Sequence, residues 1–426
     1  MSGAPWLSTG LIVAMSLGLS CCQQYRNIGS FAGLPEERTS QGSDPGSLPS
    51  VSAPFAPEAS NGQGLSPACR IHVDRGTTAI APDGKSWASA FSTVQAGIEA
   101  ASARAPCEVW IAQGTYEIYR GSDDDSVVLR AGVAVYGGFS GQETSPRQRQ
   151  IRAHPTVLDG QGKIHHVVSA STDSSLDGFV ITGGRASGSS PQDRGGGMLI
   201  LGGAVTIDSC VFRGNRAEDD GGGVYHAGAN LTVRNCSFED NQSLGSGGGL
   251  ASVSGALTVV SSVFCRNRAD REGGAIWSDG GAVSITQGTF TRNTVDNYQS
   301  GGAFALGEAA ISHASREPLR VWNSIAWGDV SGEISVDHES TLAVFCSDIQ
   351  RGPSGDANLQ IDPGFVDPDS GDLRLRPGSP CIDTACGAQS TAADLEGNPR
   401  KDDPSTPNKG SGDPAYGDLG ALEYKP

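Results

Sequence analysis

The fold is decided by a seven-residue stretch that recurs four times, as SCVFRGN (209–215), NCSFEDN (235–241), SSVFCRN (261–267) and QGTFTRN (287–293). Its Phe and Asn each recur every 26 residues, at Phe212, Phe238, Phe264 and Phe290 and at Asn215, Asn241, Asn267 and Asn293. Glycine clusters keep the same step from Gly195 through Gly221 and Gly247 to Gly273, and another follows at Gly301. A fixed period of this length indicates a solenoid.

Within each unit the apolar residues alternate with a period of two, which predicts short β-strands separated by corners. Such a unit buries its apolar side chains only by stacking on the next. The sequence therefore predicts an all-β fold, a single-stranded right-handed parallel β-helix. Its interior should hold a Phe stack, an aliphatic stack and a row formed by Cys210, Cys236, Ser262 and Gly288.

The two other recurring features are interpreted as corners. Asparagine tolerates left-handed backbone angles and can pass amide hydrogen bonds to the Asn of the adjacent coil. The glycine clusters allow the chain to turn where a side chain would collide with the adjacent coil.

Composition limits the partners. The 426 residues carry a formal net charge of −17, which argues against nucleic acid or an anionic membrane surface. A membrane is expected only through a lipid anchor.

The N-terminus is typical of exported proteins. LIVAMSLGLSCC (11–22) is an apolar run too short to span a bilayer. It resembles a bacterial lipoprotein signal, so residues 1–22 are expected to be a signal peptide with Cys21 or Cys22 lipidated; plain secretion is the alternative. Residues 23–67 are Ser-, Pro- and Gly-rich and predict a disordered linker. The expected location is the cell envelope, at the outer membrane or cell surface.

Ten cysteines suit an oxidising compartment. Cys69 with Cys107, and Cys381 with Cys386, are plausible disulfides, although the sequence leaves the pairing open. No group of Cys and His has zinc-ligand spacing, so no metal site is predicted.

Two motifs and the flanking segments resemble known repeat proteins. GGAI (273–276) and FTRN (290–293) resemble the paired GGA[ILV] and FxxN motifs of polymorphic outer membrane protein repeats. DGKSWASAFSTVQAGIEAA (83–101), VYGGFSGQETSPRQR (135–149) and DPGFVDPDSGDLRLRPGSPCID (362–383) resemble bacterial surface proteins with right-handed parallel β-helix repeats and the pectin-lyase-like fold. The resemblance covers residues 71–424 and implies an architecture but no particular activity.

The β-helix is predicted over 68–399, with a C-terminal cap and tail over 400–426. Trp87, Phe91, Val94 and Ile98, at spacings of three or four, predict an amphipathic helix that covers the open first coil.

No catalytic residue is assigned. The Gly-His-Gly and Arg-x-Lys elements of polygalacturonase-like enzymes are absent from the sequence. Acidic residues occur at Asp123–Asp125 and at Asp219–Asp220, the latter with Arg216, Arg268 or Arg271 as possible cations, and we interpret both groups as solvated loop edges. The doublet His165–His166 is interpreted as a surface or corner feature. No cofactor is expected; calcium is possible, with ligands unassigned.

A candidate ligand surface comes from the strand alternation. Val224 and Ile276 should point inward, which leaves Tyr225 and Trp277 outward near Asp219 and Asp220. Tyr298, Trp322 and Trp327 are further aromatic candidates. The favoured function is a rigid scaffold for adhesion or for binding a polysaccharide, a protein or another ligand on a host or neighbouring cell. The alternative is a polysaccharide lyase or glycoside hydrolase, and three carboxylates with an Arg or Lys within about 6 Å would favour it.

Overall fold

The computed structural model describes residues 69–296, 309–330, 332–337, 339–355 and 357–426. The predicted signal peptide with Cys21 and Cys22, the linker over 23–67, Tyr298 and the cluster at Gly301 lie outside these residues. The chain winds through three parallel sheets in turn, and each strand pairs with its counterpart in the adjacent coils. This arrangement is a parallel β-helix.

The strands of the three sheets are given in chain order. Sheet 1 contains Arg70–Val73, Cys107–Ala112, Val133–Phe139, Ser174–Asp177, Val205–Asp208, Asn230–Arg234, Ala256–Val260, Val283–Thr286, Leu319–Trp322 and Leu342–Phe345. Sheet 2 contains Val127–Val128, Val168–Ala170, Met198–Ile200, Val224–His226, Leu250–Ser252, Ile276–Ser278, Ile311–His313 and Ile334–Val336. Sheet 3 contains Gly114–Glu117, Thr156–Ile164, Phe179–Ala186, Val211–Arg213, Arg216–Ala217, Ser237–Glu239, Gln242–Ser243, Val263–Cys265, Arg268–Ala269, Thr289–Thr291, Thr294–Val295, Ile325–Ala326 and Asp348–Ile349.

The phenylalanines of the repeat form one internal column. Phe212, Phe238, Phe264 and Phe290 pair in register and are fully buried. Successive ring centroids lie 5.0, 4.5 and 5.1 Å apart, and the ring planes deviate by 10° or less. The row from Cys210 to Gly288 is likewise buried. The 26-residue step is therefore one circuit of the coil.

The asparagines form a buried ladder whose backbone differs from the prediction. Each Nδ2 donates to Oδ1 of the next, at 3.1 Å from Asn215 to Asn241, 2.9 Å to Asn267 and 3.0 Å to Asn293. The left-handed residues are not these asparagines but the residues directly before them, which are Gly214, Asp240, Arg266 and Arg292, at φ between 55° and 63°. The asparagines therefore contribute the hydrogen bonds of their side-chain amides, and not a left-handed backbone angle.

The glycine clusters have a steric reason. Gly247 has φ +69°, and a Cβ on Gly248 would lie 2.4 Å from the carbonyl oxygen of Gly274 in the next coil. The cluster therefore combines a left-handed turn with a backbone contact that leaves no room for a side chain.

The predicted N-terminal helix is shorter than expected. The α-helix spans Val94–Ser102, with Thr93 as its N-cap, and buries Val94, Gly97, Ile98 and Ala101. Trp87 begins a separate 3-10 helix, Trp87–Ser89, and Phe91 pairs with Val73 in a β-bridge. Two further 3-10 helices are Pro146–Gln148 and Gly387–Gln389. No helix of the described residues has the length and apolar character needed to cross a bilayer.

The C-terminal segment is irregular and lies mainly along the side of the solenoid. The parallel strands end at Ile349, whereas the sequence predicts a β-helix to residue 399. An antiparallel hairpin, Phe365–Asp367 with Asp372–Leu375, follows. The remaining chain returns along the outer face of sheet 3, where its apolar residues pack on Val263, Cys265 and Ile325.

One predicted disulfide pair is found and the other is wrong. Cys69 is bonded to Cys107. Cys386 is bonded to Cys346 rather than to Cys381, because the returning segment places Cys386 beside the last coils. Cys381 is a buried thiol whose Sγ lies 3.2 Å from Asp348 Oδ2.

Candidate functional site

The candidate ligand residues lie on the outer face of sheet 2. Its strands alternate as the sequence predicts, so that Val224 and Ile276 are fully buried in the interior while Tyr225 and Trp277 point outward. Strand register aligns five outward residues in one column, which we call the outer row: Leu199, Tyr225, Ala251, Trp277 and Ser312.

Tyr225 is covered although it points outward. Its side chain is only 4% exposed. The Arg194 guanidinium lies 5.2 Å from its ring centroid, and Arg194 Nη1 is 3.1 Å from the Tyr225 hydroxyl. The half-buried Trp277, two coils away, is the more accessible aromatic of the outer row.

Asp219 is the centre of an ion-pair cluster beside Tyr225. Arg194 donates from Nε and Nη2 to Asp219 Oδ2, at 2.9 and 2.7 Å. Arg271 Nη1 donates to Oδ1 at 3.3 Å, and Asp193 lies 3.9 Å from Arg194. Partial burial alone would lower the pKa of Arg194, but the hydrogen bonds and charge of Asp219 outweigh it and raise that pKa. Arg194 is therefore a permanent cation.

Asp220 lies in a different environment from Asp219. It is 8% exposed, and its Oδ1 accepts a 2.8 Å hydrogen bond from the Ser246 amide. Burial raises the pKa of Asp220, and the charge of Asp219 raises it further. Of these two adjacent carboxyls, Asp219 is paired with guanidinium groups, whereas Asp220 is buried against a backbone amide.

Glu272 fixes the edge of Trp277. The indole Nε1 donates to Glu272 Oε2 at 3.0 Å, and the Ser312 hydroxyl donates to the same oxygen at 3.2 Å. The outer row therefore offers an indole oriented by a carboxylate at Trp277 and, two coils away, an ion-pair cluster beside Tyr225.

Sequence reasoning missed Arg194, although the repeat contains a signal for it. The residue directly before each glycine cluster forms a second 26-residue series: Arg194, Asp220, Ser246 and Glu272. Reading that series together with the preceding one, which contains Asp219 and Arg271, would have identified the cluster. Of the other candidate cations, Arg268 pairs with Asp296 instead, and Arg216 is exposed on sheet 3.

The structure also joins the acidic run with the histidine doublet. Asp123, Asp124 and His165 place one potential ligand atom each within 4.8 Å of one another. The Ser187 amide donates to His165 Nδ1 at 3.4 Å, and His165 Nε2 lies 3.6 Å from Asp123 Oδ2. Asp123 and Asp124 are exposed, and exposed acidic groups of this kind are common without a metal.

The other candidate aromatics have structural contacts. Trp322 stacks on Phe345 with ring centroids 4.2 Å apart. Trp327 packs against the C-terminal segment and lines a cavity of about 240 Å³ with Arg292, Asp362 and Arg376. Neither belongs to the outer row.

Comparison with known proteins agrees with the architecture. Residues 164–315 match the family model described as "Right handed beta helix region". No curated protein matches the chain significantly in sequence. Among solved structures, the crystal structure of pectate lyase Pel9A is similar, with a TM-score of 0.49 and 14% identity, over 85% of this chain and 98% of that one. The family-model match and the three parallel sheets confirm the predicted fold class, a right-handed parallel β-helix.

Proposed function

We propose that this chain is an exported cell-envelope protein, anchored by a lipid on Cys21 or Cys22, whose β-helix is a rigid scaffold that binds carbohydrate or protein ligands. The binding surface is the outer row with its charged edge. The polymorphic outer membrane protein motifs and the lipoprotein-like N-terminus support the export and surface location. The net charge of −17 speaks against nucleic acid as the ligand.

The observation that carries this proposal is the oriented, accessible indole of Trp277. Its Nε1 is bound to Glu272 and its strand is held in a stacked sheet, so the ring face is preorganised for a flat apolar surface such as a sugar ring. Glu272 lies at the edge of this ring, and Asp219 and Arg194 add polar groups at Tyr225, two coils along the same row, as in ligand sites with a few placed polar groups.

The charge pattern favours binding over catalysis. Arg194 donates two hydrogen bonds to Asp219. Asp219 also accepts a hydrogen bond from Arg271. These ion pairs fix the orientation of the charged groups, as a preformed binding surface requires.

A glycoside hydrolase or polysaccharide lyase is the second candidate, and one observation favours it. Asp193, Asp219 and Asp220 gather around Arg194 and Arg271, and burial raises the pKa of Asp220 beside its ion-paired neighbour. A buried carboxyl with a raised pKa, close to a second carboxyl, is the kind of group that acts as a general acid in glycoside hydrolysis.

Glycan-array binding with matched variants tests the proposal. Trp277→Ala is expected to weaken glycan binding about tenfold or more, equivalent to ~1.4 kcal/mol, because the stacking face is lost. Trp322→Ala, which removes a half-buried indole on a different sheet, should leave binding unchanged.

The same glycans should yield no reducing sugar and no unsaturated product, with or without calcium. Product formation that depends on Asp220 would favour the enzyme instead. Equal glycan binding by the wild-type protein and by Trp277→Ala would show that the outer row is not the binding surface.

A further inference from the structure

The asparagine ladder ends on an aspartate. The Asn293 amide and Nδ2 donate to Asp329 Oδ1, at 2.5 and 2.9 Å, just as each earlier asparagine donates to the next. Asp329 closes NSIAWGD (323–329), the fifth copy of the recurring stretch, where the other copies have Asn.

The exchange of Asn for Asp replaces the side-chain NH2 group, a hydrogen-bond donor, by a carboxylate oxygen, which is an acceptor. In the ladder, Nδ2 of Asn267 also donates to the carbonyl of Phe238, and Nδ2 of Asn293 donates to that of Phe264, at 2.9 and 3.0 Å. In the strand register, the counterpart of these two phenylalanines in the coil before Asp329 is Phe290, which pairs with Ala326. Oδ2 of Asp329 is buried and has no hydrogen-bond donor.

A second buried carboxyl lies beside it. Glu333 is 6% exposed and Asp329 is 8% exposed, and their carboxyl groups are within hydrogen-bonding reach of each other. Glu333 Oε2 also lacks a donor. In the part of the chain that the structure describes, no Lys or Arg forms an ion pair with either group, and Arg351, whose charge acts on Glu333, is exposed.

Two buried carboxyls without a counter-charge cannot both be ionised at acceptable cost. Burial raises the pKa of both carboxyls; the contact with Glu333 raises that of Asp329 further, whereas hydrogen bonding with Asp329 lowers that of Glu333. The pair therefore needs a positive partner, either a proton or a bound cation. Val330, next to Asp329, is 77% exposed, so the pair lies close to solvent.

We propose that Asp329 and Glu333 form a calcium-binding site at the end of the asparagine ladder. The two carboxyl groups supply hard oxygen ligands, the type that calcium prefers. The bound ion would neutralise the negative charge that Asp brings in place of the neutral Asn, and would hold the last coils to the regular stack.

Calcium titration of the full-length protein tests this site. Isothermal titration and thermal unfolding in up to about 10 mM calcium cover the weakest affinities known for extracellular modules. The wild-type protein is expected to bind one calcium ion saturably, and its unfolding midpoint should rise with calcium concentration because the ion binds only the folded chain.

Asp329→Asn is the decisive variant. Its amide restores the donor that the ladder has in the other coils and adds one to Glu333, so the variant should fold, with a calcium-free midpoint at or above that of the wild-type protein. Its calcium affinity should fall about tenfold or more. Asp123→Asn, in the exposed cluster with Asp124 and His165, is the control and should bind as the wild-type protein does.

Three outcomes would overturn the proposal. Calcium binding that survives Asp329→Asn, or that is lost in Asp123→Asn, would place the ion elsewhere. Absence of any calcium-dependent change in the wild-type protein would mean that a proton alone neutralises the pair.

Discussion

Replacing Phe238 by alanine is expected to lower the free energy of unfolding by about 3–5 kcal/mol. The ring is fully buried and lies between the rings of Phe212 and Phe264, with centroid distances of 5.0 and 4.5 Å. A rigid coil cannot collapse into the space of a phenyl group without disturbing the coils on both sides. Chemical denaturation followed by circular dichroism measures the loss.

Leu201→Ala is the control for this variant. Leu201 is 47% exposed, so its truncation should change stability by no more than about 0.5 kcal/mol. A loss below about 1 kcal/mol for Phe238→Ala would mean that the phenylalanine column is not internal.

Asn267→Ala is expected to destabilise by about 2–5 kcal/mol, since each buried polar group left unpaired costs about 1–3 kcal/mol. Asn267 Oδ1 accepts from the amide and Nδ2 of Asn241, at 3.2 and 2.9 Å, while its Nδ2 donates to Phe238 and Asn293. Truncation leaves the buried amide of Asn241 without its partner. The same denaturation experiment measures the effect.

Asn230→Ala is the matched control for the ladder. Asn230 is exposed, and its Oδ1 accepts one 3.1 Å hydrogen bond from Ala256. Its replacement should cost about 1 kcal/mol or less because water replaces the lost partner. Equal losses for the two variants would contradict a buried ladder at Asn267.

The coil length could be predicted because parallel strands pair in register. When Phe238 pairs with Phe264, the sequence distance between them is the length of one circuit. The same alternation correctly gave the inward direction of Val224 and the outward direction of Tyr225, since side chains on a strand alternate between its faces.

The left-handed corner next to each asparagine could not be located from the repeat. It falls at Gly214, Asp240, Arg266 and Arg292, which share a backbone angle but no side-chain chemistry. From the sequence, the left-handed backbone angles are assigned to the asparagines beside these residues because the asparagines recur in every coil. The asparagines recur because their side chains hydrogen-bond to one another. Repetition of a residue type shows that a position is constrained, but it does not show by what.

The contacts made by the returning C-terminal segment could not be predicted from the sequence either. Cys386 lies five residues from Cys381 in the chain, yet its backbone bonds to the side chain of Asn323 and its sulfur to Cys346. Tyr225 is covered by Arg194, which lies in a loop outside the strands. The C-terminal segment has no periodic pattern that would position it, whereas Arg194 belongs to the 26-residue series directly before the glycine clusters.

Crystallographic electron density for residues 195–296 would show whether each 26-residue unit is one circuit of a solenoid. We expect Phe212, Phe238, Phe264 and Phe290 to lie one above another inside the coil with ring centroids about 5 Å apart. We also expect successive 26-residue units to superpose by translation along one axis. Phenylalanine rings that face solvent, or units related in any other way, would contradict the solenoid and the sites assigned to it.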